Sequence, residues 1–525
     1  MQPSCIHQTE IPGASSLFLD YLYHFDRVSG FYQWNFADSQ DLARSAQAIR
    51  YLEERRAKLI SALRKQNGDS ASLDKLAQPN TVAVVTGQQV GFLSGPEFTI
   101  FKALTAVKLA RELSSRGVPA VPVFWAASED HDLAEVDHAW VFNQEGTPAK
   151  ISLANTVSNG GPVGRVELND LPFAELRDGL GELPFADSVI KRLSEWYRPG
   201  ETFASAFLGF LKFLLADLGI VFVDPLRPDI REIVAPFLQE TVARVPELIG
   251  GLRKRNDELK AAGYHAQVVV DEDASLLFLL GQNRRTALRW NSSQFVTKDR
   301  SYDANELAAQ AERISPNALL RPVMQDYLLP TVSYVAGPSE IAYMAQGQVL
   351  YEKLLGRMPV IFPRNSFTLL DARSAKLMDR FGLWLPDLLG HHEHVKSHIA
   401  AKLVPANLND EFAALRSSIG SQLDKVQNDL SRFDPTLEKA AKKSSAKIAY
   451  QVEKLCRKTA RETLRRDERA TKDAAYLINM IYPHRHLQER FYSIVPFLAQ
   501  HGLDLPQRLF ESVQLTCPHH MVRTI

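Results

Sequence analysis

Cysteine is scarce in this chain, and the scarcity excludes a good deal. Cys5, Cys456 and Cys517 are the only three in 525 residues, scattered and without metal-ligand spacing. No disulfide framework is expected. None of the three falls in a strand–loop segment of the kind that carries chemistry, so a covalent thioester route through an enzyme thiol is not expected either. An excess of charge is also lacking, since Lys plus Arg and Asp plus Glu both number 61. A neutral total argues against a general nucleic-acid binder, although a local basic patch can survive inside it. No run of ~18 apolar residues occurs, so no membrane span is predicted. The N-terminus, MQPSCIHQTEIPG, lacks a charged-then-apolar signal segment. The expectation is a cytoplasmic protein. With no Walker A pattern and no HExxH, neither a P-loop nor a zincin-type metal site is predicted. The length calls for two or three structural units.

What is present is concentrated between Thr81 and His138. Thr81 to Thr86 is a β-branched apolar run without alternation, as in a strand buried on both faces of a parallel sheet. A polar loop, Gly87-Gln88-Gln89 through Gly95, follows. Pro96 stands where a helix takes its first residue, because its missing N–H costs nothing there. Phe98, Phe101, Leu104, Val107 and Leu109 then recur at helical spacing, Gly117 closes the helix, and Ala120 to Trp125 reads as a second buried strand. It ends in Ser128-Glu129-Asp130-His131-Asp132. Ligands bind at the carboxyl ends of strands in open parallel sheets, and both polar loops leave strand ends of this one β-loop-α-β unit.

The rest of the chain divides around that unit. Residues 1–80 read as a helical segment packing on the core, most clearly from Asp41 to Gln66. The core's first part spans 81–229 and includes a Gly-rich turn, GGPVGR at 160–165, and a short strand, Ile220 to Val223, ending in Asp224-Pro225. Residues 230–315 read as an inserted connecting segment: a helix from Ile230 to Ala261, apolar stretches at Ala266–Val270 and Leu276–Leu280, alternating strands near Ala287–Thr297, and Gln282-Asn283-Arg284-Arg285 as a hairpin turn. The core resumes over 316–390, with a strand Thr331–Ala336, a second Gly-Pro helix start at Gly337-Pro338, and a strand Val360–Phe362. The repeated device predicts a Rossmann-like, doubly wound α/β sheet interrupted by insertions.

From 391 to 480 the pattern becomes heptad-like. Phe412, Leu415, Ile419, Leu423, Val426, Leu430, Phe433 and Leu437 fall at spacings of three and four, Asp434-Pro435 interrupts, and Ala441, Ile448, Val452, Leu455 and Thr459 continue. This predicts an antiparallel coiled-coil hairpin. A second arm running from Thr436 to Met480 would be about 65 Å long. An arm of that length calls for self-association. Between Lys439 and Lys472 it carries twelve Lys or Arg against four acids, which fits a solvated face or a phosphate or tRNA contact. A C-terminal segment, 481–525, follows.

Three sets of residues are candidates for chemistry. The densest is Glu129, Asp130, His131, Asp132, Glu135 and His138. Metal binding is one reading, but His131 and His138 are seven apart and match no ligand pattern. The stronger reading is recognition of an amine by the acids, with His131 as proton acceptor. A second set is Gln88, Gln89, Thr99 and Lys102 beside a helix start, a place that favours anions. It is similar to the signature loop of class I aminoacyl-tRNA synthetases, without their HIGH string. A third set follows the last core strand: Arg364, Ser366 and Thr368, with Gln488 and Arg490 from the C-terminal segment.

The strings TGQQVGFLSGPEFTIFKA and VPVFWAASEDHDLAEVDH resemble hallmark segments of the BshC family, the cysteine ligases of bacillithiol biosynthesis. So do Ser315 to Gln346, FPRNSFT at Phe362–Thr368 and LQERFYSIVPFLAQHG at Leu487–Gly502. The matches run in order over most of the chain. The resemblance implies a ligase that adds L-cysteine to the amine of glucosaminyl-malate by a carbon–nitrogen bond, with ATP activating the carboxylate. It implies ATP/ADP as the nucleotide, no metal beyond a nucleotide-associated Mg, and a homodimer formed through the coiled coil. Nucleic acid and membrane are not expected partners. Catalysis would fall to His131, Asp130 and Asp132, and substrate binding to Gln88, Gln89, Thr99, Lys102, Glu129 and Arg321. The nucleotide would meet Arg364, Ser366, Thr368, Gln488 and Arg490. Malate's carboxylates require cations, for which Arg165, Arg227, Arg321 and Arg364 are available. Two other readings stay open: a synthetase-like tRNA- or nucleotide-binding protein, and a non-catalytic dimeric assembly protein.

Overall fold

The computed structural model describes residues 5–153, 160–281 and 284–525, so the expected turn at 282–285 lies partly outside the described residues. The chain forms two compact units. One comprises Pro3–Thr368 with Glu489–Arg523; the other is built on Leu369–Gln488.

The first unit is organised on a five-stranded parallel sheet. In chain order its strands are β1 (Val82–Gln89), β2 (Ala120–Ala127), β3 (Val221–Val223), β4 (Thr331–Ala336) and β5 (Val360–Pro363), and their order across the sheet is β5-β4-β1-β2-β3. Val82 to Val85 and Val121 to Trp125 are buried throughout because both faces of the sheet are covered, which is why neither strand alternates. From β1 the chain builds outward to β2 and β3, and later on the other side to β4 and β5. The reversal of direction lies between β1 and β4, the place where doubly wound sheets open a crevice.

The helix α1 (Phe98–Ser115) follows β1 and is buried almost end to end. Its start differs from the reading made on Pro96. Glu97 occupies the N-cap position without a side-chain cap bond, and Leu93, Ser94 and Gly95 all take positive φ, 51°, 72° and 68°, bending the chain before it. At the second Gly-Pro the expectation holds: Pro338 opens α2 (Pro338–Leu355), and the Glu340 carboxylate accepts the Gly337 N–H at 2.7 Å.

The helical stretch Asp41–Gln66 is two helices, Ser39–Ala48 and Glu53–Asn67, with Ile49 and Leu52 extended between them. Tyr51, in the break, donates to the Leu328 carbonyl, so a tertiary contact overrides the local periodicity. The inserted region opens with a 34-residue helix, Pro228–Ala261. Residues 266–270 are irregular rather than a strand, and Val269 is exposed. A five-stranded sheet follows, containing Ala274–Leu280, Arg285–Trp290 and Ile314–Pro316. Near the chain ends, Cys5 pairs with Met521 and Ile6 with His520 in an antiparallel ladder.

The second unit carries the predicted hairpin. Its arms are α3 (Ala406–Phe433) and α4 (Leu437–Arg466), bridged by Arg416 and Glu453 at 3.3 Å. The second arm is shorter than the heptads suggest. It stops at Arg466, after which Asp467 leaves helical geometry and caps a separate helix, Glu468–Ile481, by accepting the Ala470 N–H at 2.9 Å. Thirty residues give an arm of about 45 Å. The apolar stripe also divides. Phe412, Ile419, Leu423 and Leu430 are half-buried, whereas Leu415, Val426, Phe433, Ile448 and Leu455 are exposed. Not one residue of α3 is fully buried. No helix among the described residues is long and apolar enough to cross a membrane.

Candidate active site

A cavity of about 540 Å³ opens in the first unit at the carboxyl ends of β1, β2, β4 and β5. Its walls include Gln88 and Gln89 from β1, the Glu129–His131 loop after β2, Gly337 to Glu340 after β4, and Arg364 after β5. Phe278 and Arg285 come from the inserted sheet, Asn317 and Arg321 from the segment before β4, and Arg490 from the C-terminal segment. The size suits a small-molecule site.

Two side-chain clusters share this cavity. The first centres on Asp130. Its carboxylate accepts from Gln89 Nε2 at 2.5 Å and from the His131 N–H at 2.7 Å, and Arg285 Nη1 lies 3.5 Å away. Burial works against the charge, but these donors together hold the Asp130 carboxyl below its ordinary range. Gln89 Nε2 also reaches Glu135 at 3.1 Å. Arg285 is fixed from three directions: it donates to Ser315 Oγ at 3.2 Å and to the Pro316 carbonyl at 2.7 Å, and its guanidinium lies 3.9 Å over the Phe278 ring. The loop's backbone is braced by the Gly-rich turn. Val163 N–H donates to Asp130 O at 2.6 Å and Gly164 N–H to Ser128 O at 2.9 Å. A Cβ on Gly164 would sit 2.5 Å from Ser128 Cβ, so the turn needs glycine there to approach. Arg165, beside it, donates to the Gly281 carbonyl at 3.3 Å and does not line the cavity.

The second cluster centres on Glu340. Lys102, fully buried, donates to Glu340 Oε2 at 2.6 Å and to the Gly87 carbonyl. Tyr334 OH donates to Glu340 Oε1 at 2.7 Å. Burial opposes ionisation of Glu340, yet Lys102, the Gly337 N–H and Tyr334 hold it below the ordinary carboxylate range; burial pushes Lys102 down, against the pull of Glu340. Arg321 lies beside them, donating to Gln325 Oε1 at 3.2 Å and to the Tyr334 and Tyr343 hydroxyls at 3.3 Å. Arg490 lines the same region and makes no hydrogen bond or ion pair among the described residues, with Glu489 and Glu340 acting on its charge at longer range. Burial and the neighbouring Arg364 lower its pKa.

Most of the residues singled out from the sequence meet here, and some do not. Gln88, Gln89, Lys102, Glu129, Asp130, His131, Arg321, Arg364 and Arg490 line the cavity. Asp132 does not; it caps the short helix Leu133–Val136 through the Glu135 N–H. Thr99 is buried off the cavity, with no partner for its hydroxyl among the described residues. Arg227 pairs with Asp229. Two lining residues are internally paired: Glu129 with Arg231 at 2.6 Å, and Arg364 with Glu489 through two bonds of 2.9 and 2.6 Å. Ser366 and Thr368 lie away from the cavity, bonded to the two nitrogens of the buried His520 ring at 2.6 and 2.8 Å. In the second unit Gln488 clasps the Leu369 backbone, accepting its N–H at 2.7 Å and donating to its carbonyl at 3.0 Å. Of the five residues assigned to a nucleotide, only Arg364 and Arg490 therefore line this cavity.

Glu340, Tyr343, Arg285 and Phe278 were not singled out. The Gly-Pro-Ser-Glu string after β4 was a usable signal for Glu340. Arg285 and Phe278 carry none, since only the folding of the inserted sheet delivers them. Among the described residues no three His, Cys, Asp or Glu side chains are grouped to hold a metal ion.

A Rossmann-like unit with a strand-end cavity and a coiled-coil hairpin defines a class, and the comparisons name it. Residues 1–365 match the family model described as "Bacillithiol biosynthesis BshC, N-terminal Rossmann-like domain", and residues 367–524 match "Bacillithiol biosynthesis BshC, C-terminal coiled-coil domain". The chain belongs to the BshC family. A Solibacter usitatus (strain Ellin6076) protein named "Putative cysteine ligase BshC" is 49% identical over 525 residues, covering all of both chains. A Koribacter versatilis (strain Ellin345) protein of the same name is 37% identical over 99% of each chain, and one from Salinibacter ruber is 29% identical over 96% of this chain and 95% of its own.

Proposed function

We propose that the protein is a cytoplasmic ligase that joins the carboxyl of L-cysteine to the amine of glucosaminyl-malate, forming the amide of bacillithiol. One observation carries this reading beyond the family name: a single cavity holds an acid–amide cluster and, apart from it, Arg321 and Arg490, which make no ion pair among the described residues. Asp130 and Glu135 suit the ammonium of the amino sugar. Arg321 and Arg490 suit the two carboxylates of malate. The side chain of Gln88 lines the cavity without a protein partner among the described residues and is available to a sugar hydroxyl.

Amide formation requires a neutral amine, so the ammonium held by Asp130 must lose a proton. His131 Nδ1 is the acceptor assigned to it. Joining a carboxylate to an amine in water is uphill. Activation of the cysteine carboxyl by ATP, as an acyl phosphate or an adenylate, supplies the driving force, with ATP a substrate and Mg accompanying it. Lys102 and Glu340 position β1 and the start of α2 rather than react, because each is satisfied by the other.

Two copies associate through the hairpin in this reading, covering the exposed Leu415, Val426, Ile448 and Leu455. Purified protein incubated with ATP, cysteine and glucosaminyl-malate should yield the cysteinyl amide by mass spectrometry, dependent on all three. Absence of product from folded, dimeric protein would overturn the assignment.

A further inference from the structure

Cys5 and Cys517 stand at opposite ends of the chain, yet the fold brings them face to face. Both are free and half-buried, and Cys517 is near enough to act on the Cys5 thiol. The ladder that pairs Cys5 with Met521 and Ile6 with His520 sets the approach. Side chains on both segments fix it. His7 stacks on Tyr23 with ring centroids 3.9 Å apart, His519 lies 5.1 Å from His7, and His519 Nδ1 is 3.0 Å from the Tyr23 hydroxyl. Gln8 Nε2 donates to the Pro518 carbonyl at 3.2 Å. The two segments, Cys5-Ile6-His7 and Cys517-Pro518-His519, thus meet as matched Cys-X-His strings. Nearby, Arg523 hydrogen-bonds only to Met521 Sδ and the Val522 carbonyl, has no carboxylate partner among the described residues, and lies close enough to Cys5 to favour its thiolate. Among the described residues no third metal ligand is grouped with the pair.

We propose that Cys5 and Cys517 form an oxidative modification site, a dithiol that small disulfides convert reversibly into a bond joining the two ends of the chain. The Cys517 thiolate attacks one sulfur of R–S–S–R, whose S–S bond breaks. One R–S⁻ leaves and takes up a proton, and a mixed disulfide remains on Cys517. Cys5 then gives up its proton and attacks Cys517 Sγ, expelling the second R–S⁻. Two protein thiols are oxidised and one disulfide is reduced to two thiols; excess R–SH reverses both steps. Burial and the neighbouring Cys517 push the Cys5 thiol up, with Arg523 opposing them. Cys456, on α4 of the other unit, serves as an internal control.

The bond would fasten the strand pair that contains His520, which lies opposite Ile6. The ring of His520 holds Ser366, which donates to Glu489, the partner of the cavity residue Arg364. Under the proposed function the substrate cysteine and the thiol product both have disulfide forms able to act as R–S–S–R. The dithiol itself does not depend on that reading.

Cystine is the probe. Reduced full-length protein is treated with cystine, quenched with N-ethylmaleimide, digested without reductant and analysed by mass spectrometry. A Cys5–Cys517 linked peptide is expected in the wild type and in Cys456→Ser, lost again on adding excess cysteine. In Cys5→Ser, Cys517 should stop as a mixed disulfide with cysteine. The oxidised wild type should melt at a higher temperature than the reduced form, with no such shift in Cys5→Ser. The proposal is overturned if the wild type ends with both thiols alkylated, or with each as a separate mixed disulfide. These readouts need no ligase activity, so failure here and failure of the ligase assignment are separable.

Discussion

Arg285 Nη1 lies 3.2 Å from His131 Nδ1. A guanidinium only donates, so in this contact Nδ1 accepts, and Asp130 Oδ1 lies 3.4 Å from the same nitrogen. If His131 takes the proton of the bound amine, His131→Ala should lower kcat by roughly 10²–10⁴-fold with the fold intact. His131→Gln should not rescue it, because an amide side chain can donate but is no base. Recovery in the glutamine variant would make the ring a hydrogen-bond donor and place the base elsewhere. Asp130→Asn should raise the apparent Kd for the amino sugar in calorimetry while leaving nucleotide binding nearly unchanged.

The cationic part of the cavity gives a second test. Arg490 makes no hydrogen bond or ion pair among the described residues and feels Glu489 and Glu340 only at longer range, whereas Arg321 is tied to Gln325 and two tyrosines. Arg490→Ala therefore isolates a ligand contact. A hydrogen bond to a charged group is worth roughly 1.5–3 kcal/mol, or about ten- to hundredfold in binding. KM for glucosaminyl-malate should rise by that factor, with little change in melting temperature. Ser366→Ala should do the reverse, lowering stability and leaving KM alone. Steady-state kinetics and calorimetry on both variants check the division.

These contrasts also mark how far the sequence could be read. The strands were legible because β-branched runs such as Val82–Val85 have one good use, a sheet covered on both faces. The cavity's position followed from strand ends. Contact partners did not, since they depend on packing between distant segments. Nothing local marks His520 as the group that occupies Ser366 and Thr368, or Glu489 as the acid that occupies Arg364. A hydroxyl after a strand reads the same whether it faces a phosphate or an imidazole. The break at Asp467 was missed for a similar reason: the heptad spacing passes through it, and the N-cap preference of one aspartate prevails.

The divided stripe on the hairpin changes which residues test self-association. Ile419 and Leu423 are half-buried, and charging them would damage the hairpin itself. Leu415 and Val426 are 41% and 53% exposed and have no such duty. Leu415→Asp with Val426→Asp should give a folded monomer in sedimentation velocity, with helical content unchanged. A double variant that remains a dimer would place the interface elsewhere.

No cysteine lines the cavity. A protein with Cys5, Cys456 and Cys517 all changed to Ser should retain ligase turnover under reducing conditions. Loss of turnover with the fold preserved would restore a thioester route.

The last prediction concerns acid. His520 is fully buried, and each ring nitrogen is bonded to a hydroxyl, Ser366 Oγ on Nδ1 and Thr368 Oγ1 on Nε2. Burial, opposed by Glu489 and aided by Arg364, pushes its pKa down to about 4. In the unfolded chain a histidine titrates near 6.5. Between those values the unfolded state binds a proton that the native state refuses, so acid favours unfolding. The stabilisation is complete above about pH 6.5 and declines as the pH falls toward 4, by up to ~3 kcal/mol in all. Glu489 extends the loss. Although burial opposes its charge, Arg364 holds it at about 2, so the native state resists its protonation as well, and stability declines further below about pH 4.5. His520→Gln keeps hydrogen-bonding capacity without a titrating group. Calorimetry at about pH 7 and about pH 4.5 should show a large fall in the melting temperature of the wild type and a smaller fall in His520→Gln. Equal falls in the two proteins would mean that the ring is protonated in the native state, and that the Ser366–His520–Thr368 arrangement does not hold as described.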